Sequence, residues 1–226
     1  WRPDPLQDVD ACGEIRAAAG PDFAIMFDRT AGLPGVTWSY ETALKVARGL
    51  ERHNAYWLEE PFDRRDFASP ARLAREVGIR ITGGEGFQGL PSYRECLVNA
   101  SYDVLQPDGV RAGGILMVKK IAALAEAFNV PVILHGAMGL RLAGPIQASA
   151  AIGAEWQELA LITPPLMPDE QWSPALQVLN SKSVFTLRDG QIIAPEGPGL
   201  GLDVNEEAVA RFRGAKDRNF YPQYPA

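Results

Sequence analysis

Short apolar runs, each stopped by a polar residue, punctuate the first two thirds of the chain. Phe23-Ala24-Ile25-Met26-Phe27 stops at Asp28, Ala55-Tyr56-Trp57-Leu58 at Glu59-Glu60-Pro61, and Ile79-Arg80-Ile81-Thr82 runs into Gly83-Gly84-Glu85. Tyr102-Asp103-Val104-Leu105-Gln106 reaches Pro107-Asp108, Val130-Pro131-Val132-Ile133-Leu134 stops at His135, and Trp156-Gln157-Glu158-Leu159 is the shortest run. Continuous apolar runs of this length predict strands buried on both faces of a parallel sheet. Helical patterns fill the intervals. One covers Leu6 to Ala19 and ends at Gly20, and Ser39 caps a second with Ala43, Leu44, Ala47 and Leu50 on one face. Ser69-Pro70 opens a third through Val77, closed by Gly78, and a shorter one spans about Pro91 to Val98. Gly113-Gly114 opens a helix carrying Ile115, Val118, Ala122 and Ala125, closed by Asn129, and the last of the series lies near Pro145 to Ala151.

Six polar residues thus stand at strand ends, Asp28, Glu59, Glu85, Asp108, His135 and Glu158, at intervals of 31, 26, 23, 27 and 23 residues. A strand, a helix and two connections occupy roughly 25 to 30 residues, so the recurrence predicts a (β/α) TIM-type barrel with chemistry on one rim. Beyond Leu159 the pattern changes. Residues 160–183 are proline-rich, Val184–Leu187 and Gln191–Ile193 flank Asp189-Gly190 as a hairpin, and three glycines with two prolines occupy 194–202. The expected organisation is a partial barrel over residues 1–159 and a returning C-terminal segment over 160–226.

The 226 residues are 46% hydrophobic, which suits one soluble globular domain, and no apolar run approaches the 18 residues of a membrane span. The start, Trp1-Arg2-Pro3-Asp4-Pro5, carries no secretory pattern. Cys12 and Cys96 are read as reduced structural or surface residues, without Cys-x-x-Cys spacing, so a cytoplasmic location is expected. A net charge of −6 and no basic run longer than Lys119-Lys120 argue against nucleic acid as a partner.

Asp28, Glu59 and Glu85, at the same end of three consecutive parallel strands, would repel one another strongly unless neutralised. A hard divalent cation resolves the conflict, and all-oxygen ligation suits Mg²⁺ or Mn²⁺ and not zinc. Period-2 alternation lets only one of Glu59 and Glu60 point inward, and spacing alone does not choose between them. The glycines around Glu85 leave room for a ligand. His135 ends an apolar strand and Asp108 the preceding one, so imidazole and carboxylate are expected to meet as base and orienting group. His53, near a helix end, has a solvated or helix-terminus role, and Gly113-Gly114 lacks the fuller fingerprint of a phosphate loop.

Trp57-Leu58-Glu59-Glu60-Pro61, Gly84-Glu85, Gln106-Pro107-Asp108 with Gly113-Gly114, His135 and Trp156-Gln157-Glu158 together resemble the mandelate racemase subgroup of the enolase superfamily, over about residues 10 to 205. The resemblance implies a barrel with a capping domain, a Mg²⁺ ion held by Asp28, Glu59 and Glu85, His135 and Asp108 as the base dyad, and Glu158 as an acid facing the developing enediolate. Enolase-superfamily sites are the general case of a Lys or His base working beside Mg²⁺. The implied reaction is removal of the proton α to a carboxylate, most simply dehydration of a sugar acid, with racemisation or epimerisation as the alternative and a catalytically silent, partner-binding fragment as the alternative of another class. The full-length form is expected to be a homo-oligomer.

Three departures from the pattern follow. Only strands three to eight of the barrel are countable and no capping domain precedes Trp1, so this chain alone is not expected to close a barrel. The basic element on the second barrel strand has no counterpart, since Lys119-Lys120 lies on a helix. Arg29-Thr30 replaces an Ala-Asn-like pair after Asp28, and Arg29 is a candidate contact for a polyol acid.

Overall fold

The computed structural model describes residues 4–30, 38–137, 139–159, 174–181 and 183–213. The chain divides into two compact units, Trp1–Ile133 and Leu134–Ala226. In the first, helices and strands alternate: α1 (Leu6–Ala19), β1 (Met26–Asp28), α2 (Tyr40–Arg52), β2 (Trp57–Glu59), α3 (Ala68–Glu76), β3 (Arg80–Gly83), α4 (Gly89–Asn99), β4 (Val104–Leu105) and α5 (Ile115–Glu126). The four strands make one sheet in the order β1-β2-β3-β4, every pair parallel. This is the α/β class that the alternating pattern predicts.

The register explains where chemistry can sit. Phe27, Leu58 and Ile81 are aligned across the sheet, and Leu58, Ile81 and Leu105 share one apolar core with Ala43, Val46, Ala47 and Leu50 of α2 and Leu73 of α3. The other parity places Asp28, Glu59, Thr82 and Val104 side by side. Successive side chains alternate faces, so Trp57, Glu59, Val104 and Gln106 lie opposite the main helix-packed face, where Trp57, Val104 and Ile133 form a small cluster of their own.

Local chemistry fixes the helix ends. Gly20, at φ 87°, donates its N–H to the Arg16 carbonyl and stops α1. The Arg16 guanidinium in turn donates to the carbonyls of Gly20, Pro21, His53 and Asn54 at 2.6–3.0 Å, which ties the end of α1 to the end of α2. Ser39 Oγ accepts from Thr42 N at 3.2 Å, as expected of a cap. The start of α3 differs from expectation. Asp66 Oδ1, and not Ser69, accepts from Ala68 N and Ser69 N at 3.1 and 2.9 Å, because an acceptor must precede the amides it satisfies.

The second unit holds β5 (Leu134–Ala137), a 3₁₀ turn at Gly139–Leu142, α6 (Ala143–Ile152), β6 (Gln157–Leu159), β7 (Thr186–Arg188), β8 (Gln191–Ile193) and α7 (Glu206–Arg213). β5 and β6 pair in parallel, and β7 and β8 form the expected hairpin, with Asp189 at φ 51° and Gly190 at φ 75°. Helix α7 was not expected; Asn205 Oδ1 caps it on Ala208 N at 2.9 Å. Two strand readings are corrected. Phe23 is 56% exposed and β1 begins only at Met26, and β5 starts where the run Val130–Leu134 ends, so His135 lies inside a strand and does not terminate one. The loop expected around Gly32, Pro34 and Gly35, and the proline-rich reading over 160–173, lie outside the described residues. Among the described residues no helix is long and apolar enough to cross a membrane.

Candidate active site

Of the acidic residues expected at strand ends, Asp28, Glu59, Glu85 and Asp108 lie at or just beyond the C-terminal ends of the first unit's strands, and Glu158 lies in the second unit. Asp28 closes β1 and is in register with Glu59, the last residue of β2. Asp28 Oδ1 accepts from Thr30 N at 2.6 Å and Oδ2 from Thr30 Oγ1 at 2.8 Å. Glu59 is 3% exposed, and its Oε2 accepts from Gln106 Nε2 at 2.8 Å. Gln106 follows β4 by one residue, on the Val104 parity that faces Glu59.

The competition between Glu59 and Glu60 resolves differently from the alternation argument. Glu60 lies outside β2, in the left-handed region at φ 46°, so strand alternation does not govern it and both carboxylates are buried. A non-glycine residue there is strained by about 1–2 kcal/mol. The compensation is an ion pair. Arg64 Nε donates to Glu60 Oε1 and Oε2 at 2.8 and 3.0 Å, and Nη2 donates to Oε2 at 2.8 Å. The same Nη2 also reaches Glu85 Oε1.

Glu85 stands two residues beyond β3, after Gly84, whose φ of 117° requires glycine and whose carbonyl accepts from Tyr93 Oη at 3.0 Å. The expectation that the surrounding glycines leave room for a ligand is also corrected. A Cβ on Gly83 would stand 2.8 Å from the Tyr102 ring and one on Gly86 2.5 Å from Arg64 Cδ, so protein side chains fill both spaces.

Electrostatics follow from this packing. Burial pushes the Glu60 carboxyl above its ordinary pKa; the Arg64 hydrogen bonds pull it down, and the Glu85 and Asp28 charges add to the rise. Burial works to lower the Arg64 pKa, but its bonds to Glu60 and the charges of Glu60, Glu85 and Asp28 outweigh that and raise it. A second arginine attends the same edge. Arg29 is buried, lies 5.1 Å from the Trp38 ring centroid, and is held below its usual pKa by burial, against the pull of Glu60 and Asp28. Its Nε and Nη2, like Gln106 Oε1 and Thr82 Oγ1, are buried without a hydrogen-bond partner among the described residues.

Asp108 lies three residues past β4, buried, with Oδ1 accepting from Val110 N and Arg111 N at 2.8 Å each. That turn leads through Gly113-Gly114 into α5. In the second unit, His135 is the second residue of β5 and Glu158 the middle residue of β6; Glu158 Oε2 accepts from Gly136 N at 2.8 Å. Gly136 allows this approach, since a Cβ there would stand 3.0 Å from Glu158 Cδ. Asp108 and His135 belong to different units.

Among the described residues, no three His, Cys, Asp or Glu side chains form a group that could hold a metal ion as they stand. Glu85 faces Arg64 and Glu59 faces Gln106. The donor chemistry nonetheless fits a hard divalent cation: Asp28, Glu59 and Glu85 are oxygen donors from successive strand ends, and the Arg64 guanidinium already stands as a cation against one of them. Sequence reasoning missed Arg64. Its only local signal was an arginine four residues after Glu60.

An α/β chain with acidic side chains at or just beyond the C-terminal ends of its parallel strands belongs to a class in which such ends carry the chemistry. The particular family is set by comparison: residues 1–208 match the enolase C-terminal domain-like family, and the chain belongs to it. It is 31% identical over 224 residues to a D-galactonate dehydratase of Ralstonia nicotianae, covering 95% of this chain and 56% of that protein. It is 27% identical over 208 residues to a D-galactarolactone cycloisomerase of Agrobacterium fabrum, covering 92% and 53%. The crystal structure of an L-talarate dehydratase from Polaromonas sp. JS666, complexed with Mg and L-glucarate, superposes with a TM-score of 0.70 at 28% identity, covering 92% of this chain and 52% of that one. The chain spans about half the length of the curated relatives it matches.

Proposed function

We propose that this chain carries the metal-binding and acid–base half of a magnesium-dependent enzyme that removes the proton α to the carboxylate of a sugar acid and expels a β-hydroxyl as water. The observation that carries the reading is the set of three carboxylates, Asp28, Glu59 and Glu85, delivered by consecutive parallel strands in a chain of this family. In this reading residues 1–159 are the catalytic part of a (β/α) barrel and residues 160–226 its returning segment.

Asp28, Glu59 and Glu85 would hold the ion, and Glu60 stays with Arg64. When bound, magnesium supplies positive charge beside the substrate carboxylate as negative charge builds there. His135 accepts the α-proton in its neutral form and, as imidazolium, returns a proton to the departing β-hydroxyl, which leaves as water; Asp108 is assigned to the same acid–base step. Gln106 holds the Glu59 carboxylate in place through its amide. Glu158, set by the Gly136 amide, is the acid toward the substrate oxygens. A second reading, cycloisomerisation of a sugar-acid lactone, is favoured by the similarity to the Agrobacterium cycloisomerase. Both start with proton removal.

The test is incubation of the full-length enzyme that contains this chain with Mg²⁺ and a panel of aldonic and aldaric acids and their lactones in D₂O, with the α-proton followed by NMR and the products by mass. Metal-dependent exchange with loss of water is expected for at least one acid, and His135→Asn abolishes it. Exchange at the native rate in the variant removes His135 from the mechanism; ring opening or closure without loss of 18 Da selects the second reading.

A further inference from the structure

We propose that Arg64 is a built-in counter-cation of the acidic strand edge, and that a divalent ion binding there displaces its Nη2 from Glu85. The inference rests on the magnesium reading above. One guanidinium holds two carboxylates, gripping Glu60 through Nε and Nη2 in three contacts of 2.8–3.0 Å and Glu85 through Nη2 alone. Glu60 is 1% exposed, so its charge requires a permanent partner. Glu85 is 13% exposed at the side chain and Arg64 21%, so their contact opens to water and to ions. The planar fork suits this double task in a way a lysine ammonium does not.

The position is prepared from the other side as well. A Cβ on Gly86 would come within 2.5 Å of Arg64 Cδ and 2.9 Å of Nε, so the lack of a side chain at 86 is what lets the arginine lie against the Glu85 loop. The two grips are unequal. An ion that takes Glu85 displaces Nη2 from it and leaves the fork on Glu60, so Arg64 moves little and Glu60 keeps its cation. Arg64 therefore competes with the metal, and its positive charge raises the concentration of ion needed. A purely structural arginine that held Glu85 in place for the metal would act with the opposite sign.

The experiment is calorimetric titration of MgCl₂ into the wild-type protein, Arg64→Gln and Gly86→Ala. Arg64→Gln removes the competitor and one positive charge, and is expected to tighten Mg²⁺ binding about tenfold, or about 1.4 kcal/mol. Gly86→Ala keeps every charge and crowds the arginine off Glu85; it is expected to tighten binding severalfold even if Arg64→Gln does not fold. Binding that is unchanged or weaker in either folded variant, with the wild type still binding, overturns the role of Arg64 and leaves the magnesium reading standing. No heat of binding in any of the three proteins at millimolar Mg²⁺ overturns both.

Discussion

Glu59 and Glu60 are adjacent, acidic and buried, yet replacing each by Gln should damage different properties. Glu60 takes three N–H···O contacts from Arg64, and glutamine at that site offers one oxygen and no charge. Breaking a fully buried ion pair costs about 3–5 kcal/mol. The Arg64 side chain is 21% exposed and keeps Glu85, so water screens part of the loss, and about 1.5–3 kcal/mol is expected for Glu60→Gln. In a chain of 226 residues each kcal/mol moves Tm by about 2–4 °C, so the variant melts roughly 3–12 °C lower. Its Mg²⁺ affinity should change by less than about fivefold, or about 1 kcal/mol. Glu59→Gln inverts the pattern. A glutamine oxygen still accepts from Gln106 Nε2, and removing a buried charge relieves desolvation, so metal-free stability should stay within about 1 kcal/mol. Mg²⁺ loses one of three anionic donors, and affinity should fall by more than the about 10–100-fold typical of residues that only support a ligand. Urea unfolding without metal and calorimetric titration with MgCl₂ measure the two effects separately. Parallel losses in both variants, or a greater loss of affinity at Glu60, would refute the division of roles.

Two further outcomes follow from the core. Leu58→Ala empties a fully buried position between α2 and the sheet and should cost about 2–5 kcal/mol in urea unfolding; a loss under 1 kcal/mol would mean that Leu58 does not stand at the centre of that core. Burial pushes the Cys96 thiol up to about 12 from an ordinary 9.0, so stability is intact below pH 9 and falls by about 1.4 kcal/mol per pH unit from there toward 12. Cys96→Ala should flatten that fall, and native protein at pH 8 should resist iodoacetamide at both buried cysteines; rapid alkylation of Cys96 would contradict its burial.

Features set by neighbours in sequence were legible before the structure. The bounds of α1 follow from Gly20, the cap on α2 from Ser39, and the hairpin from Asp189-Gly190, because each needs only a residue tolerant of positive φ or an oxygen at the right offset. Asn205 before Glu206-Glu207 carried the same kind of signal for α7 and was passed over in a segment rich in glycine and proline. The strand containing His135 was displaced because apolarity marks burial, and Val132 and Ile133 are buried or half-buried through a bridge and a hydrogen bond to Leu105 ahead of β5. What no local pattern carries is which side chain answers which. Arg64 meeting Glu85 across 21 residues, or Gln106 meeting Glu59 across 47, depends on strand order and register.

That register changes how the repulsion among strand-end carboxylates is resolved. A divalent ion alone was expected to neutralise them, and the chain instead treats its four acids unequally. Glu60 is matched to a permanent cation at minimal exposure, and this justifies its strained backbone. Asp28 and Glu59 receive hydrogen bonds from the neutral donors of Thr30 and Gln106, which orient a carboxylate without cancelling its charge. Glu85 stands between these cases, meeting the Nη2 of an arginine that also holds Glu60. An edge built this way can fold without metal, because its most buried charge is already paired. It keeps the remaining negative charge where an incoming cation can reach it, and Glu85, which shares the Arg64 Nη2 with Glu60, is the carboxylate such a cation has to win from the arginine.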